Sequence, residues 1–416
     1  MSKTFYKSFC FIAGLLISLA APAEQSYEAD QYTLHASKIL PPELIKGPNH
    51  QVDEIVTNDG FLNTYIIHSS MGDVTAVSTD QLKKYIHEIN ATVAMSKVET
   101  SGEFTSAVKA TGKKVVSGAK NIVSDPVGSV SGAVSGVGAL FRRAGASVGG
   151  KRSDQEDNRV KAAIGFSTAK REYAYEFNVD AYSRNSILQS ELDSLTWAGA
   201  SGGIAASAAL MMVPGGAGIA VSVTSGTETM NKVFRNVPPS ELRIMNTKKL
   251  VAMGVNKDIA ELYIKNSVYT PLEQSLIVFA LEAMPKTKNK TDYIKFAVLT
   301  DNADTAYYRQ RQAQMYESYN RTVEPLVSFV SLGEISTAKT ANNKIVFTAP
   351  LDYMSWTESM ANAVHEIDQR IAALDGIKEK HLLVSGTVSE IAKASLESWG
   401  WKVFQNAGAK LIPDAY

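Results

Sequence analysis

The spacing of apolar positions changes along this chain, and each period predicts a different element. Val52, Ile55 and Val56 precede the turn signal Asn58-Asp59-Gly60; Tyr65-Ile66-Ile67 precedes Ser70-Met71-Gly72-Asp73, and Val74-Thr75-Ala76-Val77 follows. β-Branched and aromatic runs separated by such turns predict hairpins, because glycine accepts positive φ. Leu82, Ile86, Ile89 and Val93 then fall on one helical face, which predicts a helix over 79–99 with Thr79 or Asp80 as its N-cap. Residues 24–50 are polar and proline-containing, and read as an extended leader into this first unit. An N-terminal β-hairpin plus helix module is therefore expected over 24–100.

From 153 to 332 the period is helical. Helices are expected over 153–195, 248–264 and 271–284, the last with Pro271 in its first turn after Thr270. Residues 291–332 read mostly as helix, with Phe296, Tyr307, Tyr308, Tyr316 and Tyr319 as core aromatics. Beyond 333 the pattern changes again. Ile335–Ala338 and Lys344–Thr348 flank Ala341-Asn342-Asn343, a hairpin signal. A helix follows over 353–375, carrying Trp356, Met360, Val364, Ile367 and Ile371 on one side. The order strand, turn, helix, strand over 381–405 then predicts a C-terminal α/β subdomain over 333–416. The expected fold class is α+β with a predominantly helical middle.

Two regions break this alternation. Residues 101–152 are rich in Gly, Ser and Val and strongly basic, with Lys109, Lys113, Lys114, Lys120, Arg142 and Arg143 against the single acid Asp125 between 109 and 152. A Gly-rich linker and an amphipathic segment touching membrane or another anionic surface both fit. The stretch from Ser194 to Thr227, inside the helical domain, carries no charge and is interrupted by Val213-Pro214-Gly215-Gly216. It reads as a buried helical hairpin, a membrane-inserting hairpin or, least well, a membrane span, since each half is shorter than the ~20 apolar residues a span needs.

The N-terminus changes the picture from fold to address. Lys3 and Lys7 precede an uncharged run from Ser8 to Ala23 that ends Ala21-Pro22-Ala23. Basic start, short apolar middle and small-residue exit are the secretory pattern, so 1–23 is expected to be a signal peptide cleaved near Ala23-Glu24. The one cysteine, Cys10, lies inside that segment. A mature chain from 24 onward has no thiol, which excludes disulfides, thiolate catalysis and Cys-ligated zinc and favours a bacterial periplasm. The 42 basic and 42 acidic side chains balance, so nothing suggests nucleic acid as a partner.

Candidate chemistry is sparse. Gly199-Ala200-Ser201-Gly202-Gly203 matches the nucleophile elbow G-x-S-x-G, which makes Ser201 a candidate hydrolase nucleophile if a strand precedes it. Ser117–Lys120 and Ser167–Lys170 match S-x-x-K, but no downstream K-T-G or K-S-G completes that constellation. His87-Glu88 and His365-Glu366 begin H-E-x-x-H, yet Ala91 and Gln369 stand where the second histidine belongs. No phosphate-binding Gly-rich loop is present, and no cofactor is expected.

Gly47-Pro48-Asn49-His50, Ser124-Asp125-Pro126-Val127-Gly128 and Pro350-Leu351-Asp352-Tyr353 form a set. On these motifs the chain resembles a family of uncharacterised exported proteins from Gram-negative bacteria, a resemblance that implies an exported protein and brings no activity or site. The expectation is a periplasmic, non-enzymatic binding or envelope-associated protein, with the envelope membrane or another envelope protein as candidate partner. The alternatives are a membrane-interacting protein using 101–152 and 194–227, and a serine hydrolase using Ser201.

Overall fold

The computed structural model describes residues 27–100, 166–202, 225–333 and 335–412. The fold is α+β. An antiparallel sheet opens it, built from β1 (Tyr32–His35), β2 (Gln51–Val52), β3 (Ile55–Asn58), β4 (Asn63–Ser69) and β5 (Gly72–Val77). β4 lies between β3 and β2 and also pairs with β5 in register Tyr65↔Ala76 and Ile67↔Val74. Alternate residues of β4 point inward, as period two requires: Asn63, Tyr65 and Ile67 are buried while Ile66 and His68 face out. The stretch read as an extended leader is partly structured. It supplies β1 and two single-turn helices, α1 (Ala36–Ile39) and α2 (Pro42–Ile45), because Pro42 suits a first helical turn.

Helix α3 (Thr79–Thr100) follows. Its cap is Ser78, one residue earlier than the sequence suggested: the Ser78 hydroxyl accepts the Gln81 N–H at 3.1 Å. The first half of α3 seals the sheet, with Leu82, Tyr85, Ile86 and Ile89 packed on Val56, Tyr65, Ile67 and Ala76. The second half turns Ala91, Met95 and Val98 to α4 (Phe166–Glu176) and α5 (Ser186–Gly202), where Tyr173, Leu188, Leu192 and Leu195 form a separate cluster. One helix thus ties two cores together.

The helical middle continues through α6 (Ser225–Asn236), α7 (Pro239–Ala252), α8 (Lys257–Lys265), α9 (Pro271–Glu282), α10 (Lys290–Val298) and α11 (Ala303–Thr322). The single helix expected over 248–264 is broken at Gly254, whose φ of 84° lies in the left-handed region. Thr270 caps α9 through a capping box with Glu273, and Pro271 occupies the first turn. The sequence reading of 291–332 as mostly helix fails after Thr322. Residues Leu326–Leu332 are a strand, β6, whose neighbours in the C-terminal sheet override local propensity.

The C-terminal sheet runs β12-β10-β8-β7-β6, with β7 (Ile335–Thr340), β8 (Lys344–Ala349), β10 (Glu379–Val384) and β12 (Trp401–Phe404), while β9 (Tyr353–Met354) and β11 (Thr387–Val388) form a separate parallel pair. β6, β7 and β8 are antiparallel neighbours, and Asn343 closes the β7–β8 turn with φ 62°. β8, β10 and β12 are parallel, joined through α12 (Glu358–Ala372) and α13 (Glu390–Ser398). Both faces of this sheet are covered. Ile345, Phe347, Leu382 and Val384 pack under α12 and α13; Val346 and Leu383, the alternate positions, pack with α9, α10 and α11. The aromatic series of the middle is core: Phe296, Tyr307, Tyr308, Tyr316 and Tyr319 are all buried. Among the described residues no helix is long and apolar enough to cross a membrane.

Candidate functional site at the strand carboxyl ends

Parallel strands joined by helices on one face leave their connecting loops at a single edge, outside the strand carboxyl ends, and ligands of open α/β sheets bind there. In this chain those loops are Pro350–Tyr353 after β8, Ser385–Thr387 after β10 and Asn406–Ala409 after β12. All three line one cleft of about 460 Å³. They are knitted together by backbone hydrogen bonds: Ser385 N–H donates to the Ala349 carbonyl, Gly386 N–H to Leu351, and Gly408 N–H to Ser385. Gly386 is required by this packing, since a Cβ there would stand 2.0 Å from the Asp352 carbonyl oxygen.

The opposite walls come from α3, α1 and α11. Asp304, Tyr307, Tyr308 and Arg311 line the cleft and recur at i, i+3, i+4 and i+7, one face of α11. Thr79, Asp80 and Lys83 come from the first turn of α3, and Lys38 and Ile39 from α1. Arg311 anchors the junction, its Nε donating to Asp80 Oδ2 at 3.1 Å and its Nη1 to Gln314 Oε1 at 2.8 Å.

Asp352 joins the N-terminal and C-terminal sheets. Its carboxylate accepts the Asn63 N–H at 2.9 Å and the Thr79 N–H at 3.0 Å, while its own N–H donates to the Phe61 carbonyl. Burial raises its pKa to about 6, against the lowering effect of those two backbone donors. Asp304 is different. It is half-buried, accepts no hydrogen bond among the described residues, and burial holds its pKa above the ordinary value. The Tyr308 hydroxyl, on a side chain 4% exposed, also has no hydrogen-bond partner. Among the described residues, then, nothing satisfies the Asp304 carboxylate or the buried Tyr308 hydroxyl of α11.

A second polar cluster lies deeper. Glu88 is fully buried with Lys84 Nζ 3.8 Å away, and burial pushes its pKa up to about 7. Asp180 faces the same region; its Oδ1 accepts the Tyr182 N–H and its Oδ2 is unsatisfied. Close by, Arg184 forms a bidentate pair with Glu273 and donates to the Val268 carbonyl. Among the described residues no group of three or more His, Cys, Asp or Glu side chains is placed to hold a metal ion. The histidines are dispersed. His365 contacts Gln369 at 2.8 Å, and His87 contacts the Asn178 carbonyl at 2.9 Å.

Of the residues singled out from sequence, Ser201 lies in the last turn of α5. A continuous helix from Ser186 precedes it, not the strand that a nucleophile elbow requires. Ser167 and Lys170 share α4, where Lys170 Nζ pairs with Asp193 at 2.7 Å. Lys109, Lys113, Lys114, Lys120, Arg142, Arg143 and most of the uncharged stretch lie outside the described residues, as do residues 1–26. Sequence reasoning missed Asp304 and Arg311 as site residues. Tyr307 and Tyr308 read only as core in the sequence, although with Asp304 and Arg311 they form a polar-aromatic helical face. Asp352 stands within the Pro350–Tyr353 motif, to which the sequence alone attaches no role.

Comparison with protein-family models, curated proteins and solved structures gives no match to this chain.

Proposed function

We propose that this is an exported, non-enzymatic binding protein of the Gram-negative periplasm, and that its ligand occupies the cleft at the carboxyl ends of β8, β10 and β12. The observation that carries the reading is the cleft itself: about 460 Å³, walled by three separate parts of the chain, with unsatisfied polar groups on α11. Volumes of ~300–1,000 Å³ with a few convergent polar groups are typical of small-molecule sites. The secretory pattern of residues 1–23 supports the address, and the resemblance to exported Gram-negative proteins supports it from a second direction.

A reporter variant tests both halves. Ile39 lines the cleft and is 39% exposed, so Ile39→Cys takes an environment-sensitive thiol dye at the rim. Cys10→Ser keeps that label unique. Expressed with its own leader in a Gram-negative host, the chain is expected in the osmotic-shock fraction, beginning at Glu24. Titration with the small-molecule fraction of a periplasmic extract is expected to shift the dye saturably. A chain retained in the cytoplasm overturns the address, and a dye that never responds overturns the binding reading.

A further inference from the structure

Helix α3 packs against α5 and the 178–185 loop along one face, and that face begins and ends in acid. Glu88, Ala91, Met95, Val98 and Glu99 follow one another at helical spacing. Between the acids the seam is apolar: Ala91, Met95 and Val98 meet Leu188, Leu192 and Leu195 of α5. At one end Glu88 is sealed from solvent against Asp180 of the loop. At the other, three turns on, Glu191 of α5 faces Glu99. The Ser194 hydroxyl, one turn after Glu191, donates to Glu99 Oε1 at 2.7 Å and holds that second pair in place.

The cations nearby do not match these acids. Lys84 Nζ lies 3.8 Å from Glu88 Oε1, one ammonium for the carboxyls of both Glu88 and Asp180, and it also lies over the Tyr307 ring of α11. Arg184 is committed to Glu273 of α9 and the Val268 carbonyl. His87 turns to the Asn178 carbonyl at 2.9 Å, and burial holds its pKa down, so it adds no charge near neutrality. Tyr85 and Tyr182 complete the surroundings, with Lys170 of α4 above the Tyr182 ring and paired to Asp193 at 2.7 Å. At the other end Lys97 is on the exposed side of α3, and the described residues pair neither Glu99 nor Glu191 with a lysine or arginine. Two buried carboxylates side by side without matching cations do not both stay ionised. Burial pushes Glu88 up to about 7, and burial with the Glu99 charge pushes Glu191 up to about 7 as well.

We propose that the two carboxyl pairs form a proton-operated joint: with Glu88 and Glu191 protonated, α5 and the 178–185 loop stay docked on α3, and loss of the two protons parts the seam and bares its apolar face. The seam belongs to a core cluster of its own, distinct from those of both sheets, so it can open while they hold. In the open seam water solvates both carboxyls, which return to the ordinary value of 4.5. The closed seam thus binds protons more tightly. It is fully favoured below pH ~4.5 and loses ground as pH rises through about 7. Between pH 6 and 8 each group multiplies the open-to-closed ratio about tenfold, and the two together about a hundredfold.

Hydrogen–deuterium exchange of the full chain at pH 6, 7 and 8, corrected for the intrinsic exchange rate and read by mass spectrometry, tests this. Peptides spanning 91–98 and 188–195 are expected to lose protection about a hundredfold from pH 6 to 8, while β8 and β10 keep theirs. Glu88→Gln or Glu191→Gln alone is expected to leave about a tenfold loss, and the two together none, because glutamine keeps the shape of the protonated carboxyl and cannot ionise. Protection in the parent that is constant with pH overturns the proposal. So does an equal loss in β8 and β10, which would assign the titration to the whole fold. A double variant that loses as much as the parent overturns it too. The first two outcomes need only the parent chain, whether or not the variants fold.

Discussion

Glu88 is a residue whose chemistry the fold strongly displaces. It sits on α3 among Lys84, Asp180, Ser183 and Asn185, sealed from water. Its pKa stands at about 7 in the folded chain against 4.5 as the ordinary value. The folded protein therefore binds a proton more tightly than the unfolded one. The stability this confers is complete below pH ~4.5 and is lost as pH rises through about 7. Unfolding free energy from urea titrations is expected to fall across that window. Glu88→Gln keeps the shape and removes the ionisation, so its profile should be flatter, with a gain of about 3 kcal/mol over the parent at pH 8. Identical slopes for the two chains would place the titration elsewhere. The sequence offered one hint, His87-Glu88 at the head of a failed metal motif. It could not show that Glu88 faces inward, because only the packing of α3 against the 178–185 loop decides that.

At the scale of elements, the loop after β10 is the tightest joint of the cleft. Ser385-Gly386-Thr387 was legible as a turn after a strand, and the strand, helix, strand order around it was legible too. The close approach was not. Gly386 lies against the Asp352 carbonyl, and a methyl group at that position overlaps it at 2.0 Å. Gly386→Ala is expected to cost about 2–4 kcal/mol, at the upper end for a small substitution, since backbone and not a flexible side chain must yield. Thermal unfolding checks this, and a variant as stable as the parent would show that the loop gives way. The strand β6 teaches the complementary lesson. Leu326–Leu332 continues a helical stretch in sequence, yet pairing with β7 and a place at the edge of a five-stranded sheet make it extended.

For the whole molecule, the cleft exists because three distant parts of the chain meet. Asp352 is the clasp. Its carboxylate takes backbone donors from Asn63 and Thr79, some 270 to 290 positions away in sequence. Asp352→Ala would leave those part-buried N–H groups without their acceptor, at a cost of about 1–3 kcal/mol for each donor left unsatisfied. The N-terminal sheet is then expected to loosen from the C-terminal one before either core melts. Limited proteolysis should cut near 59–63 faster than in the parent, and it should blunt the reporter response. Proteolysis unchanged from the parent would assign the clasp to the Asp352, Tyr353 and Ser355 backbone bonds alone.

By itself the sequence determined the local elements. Period two, period three-to-four and turn residues depend on near neighbours, so the hairpins, α3, the capped start of α9 and the C-terminal alternation of strand and helix were readable from it. It also carried the secretory pattern, a property of composition over a short run. The tertiary structure alone decided the site. Asp304, Tyr308, Arg311, Lys83, Lys38 and Asp352 come from α11, α3, α1 and a strand end. Helical spacing links Asp304, Tyr308 and Arg311 along α11, but no spacing rule links them to Lys83, Lys38 and Asp352, whose proximity is produced by sheet order and helix packing. The unsatisfied Tyr308 hydroxyl is a consequence of burial, and burial is a property of the folded chain.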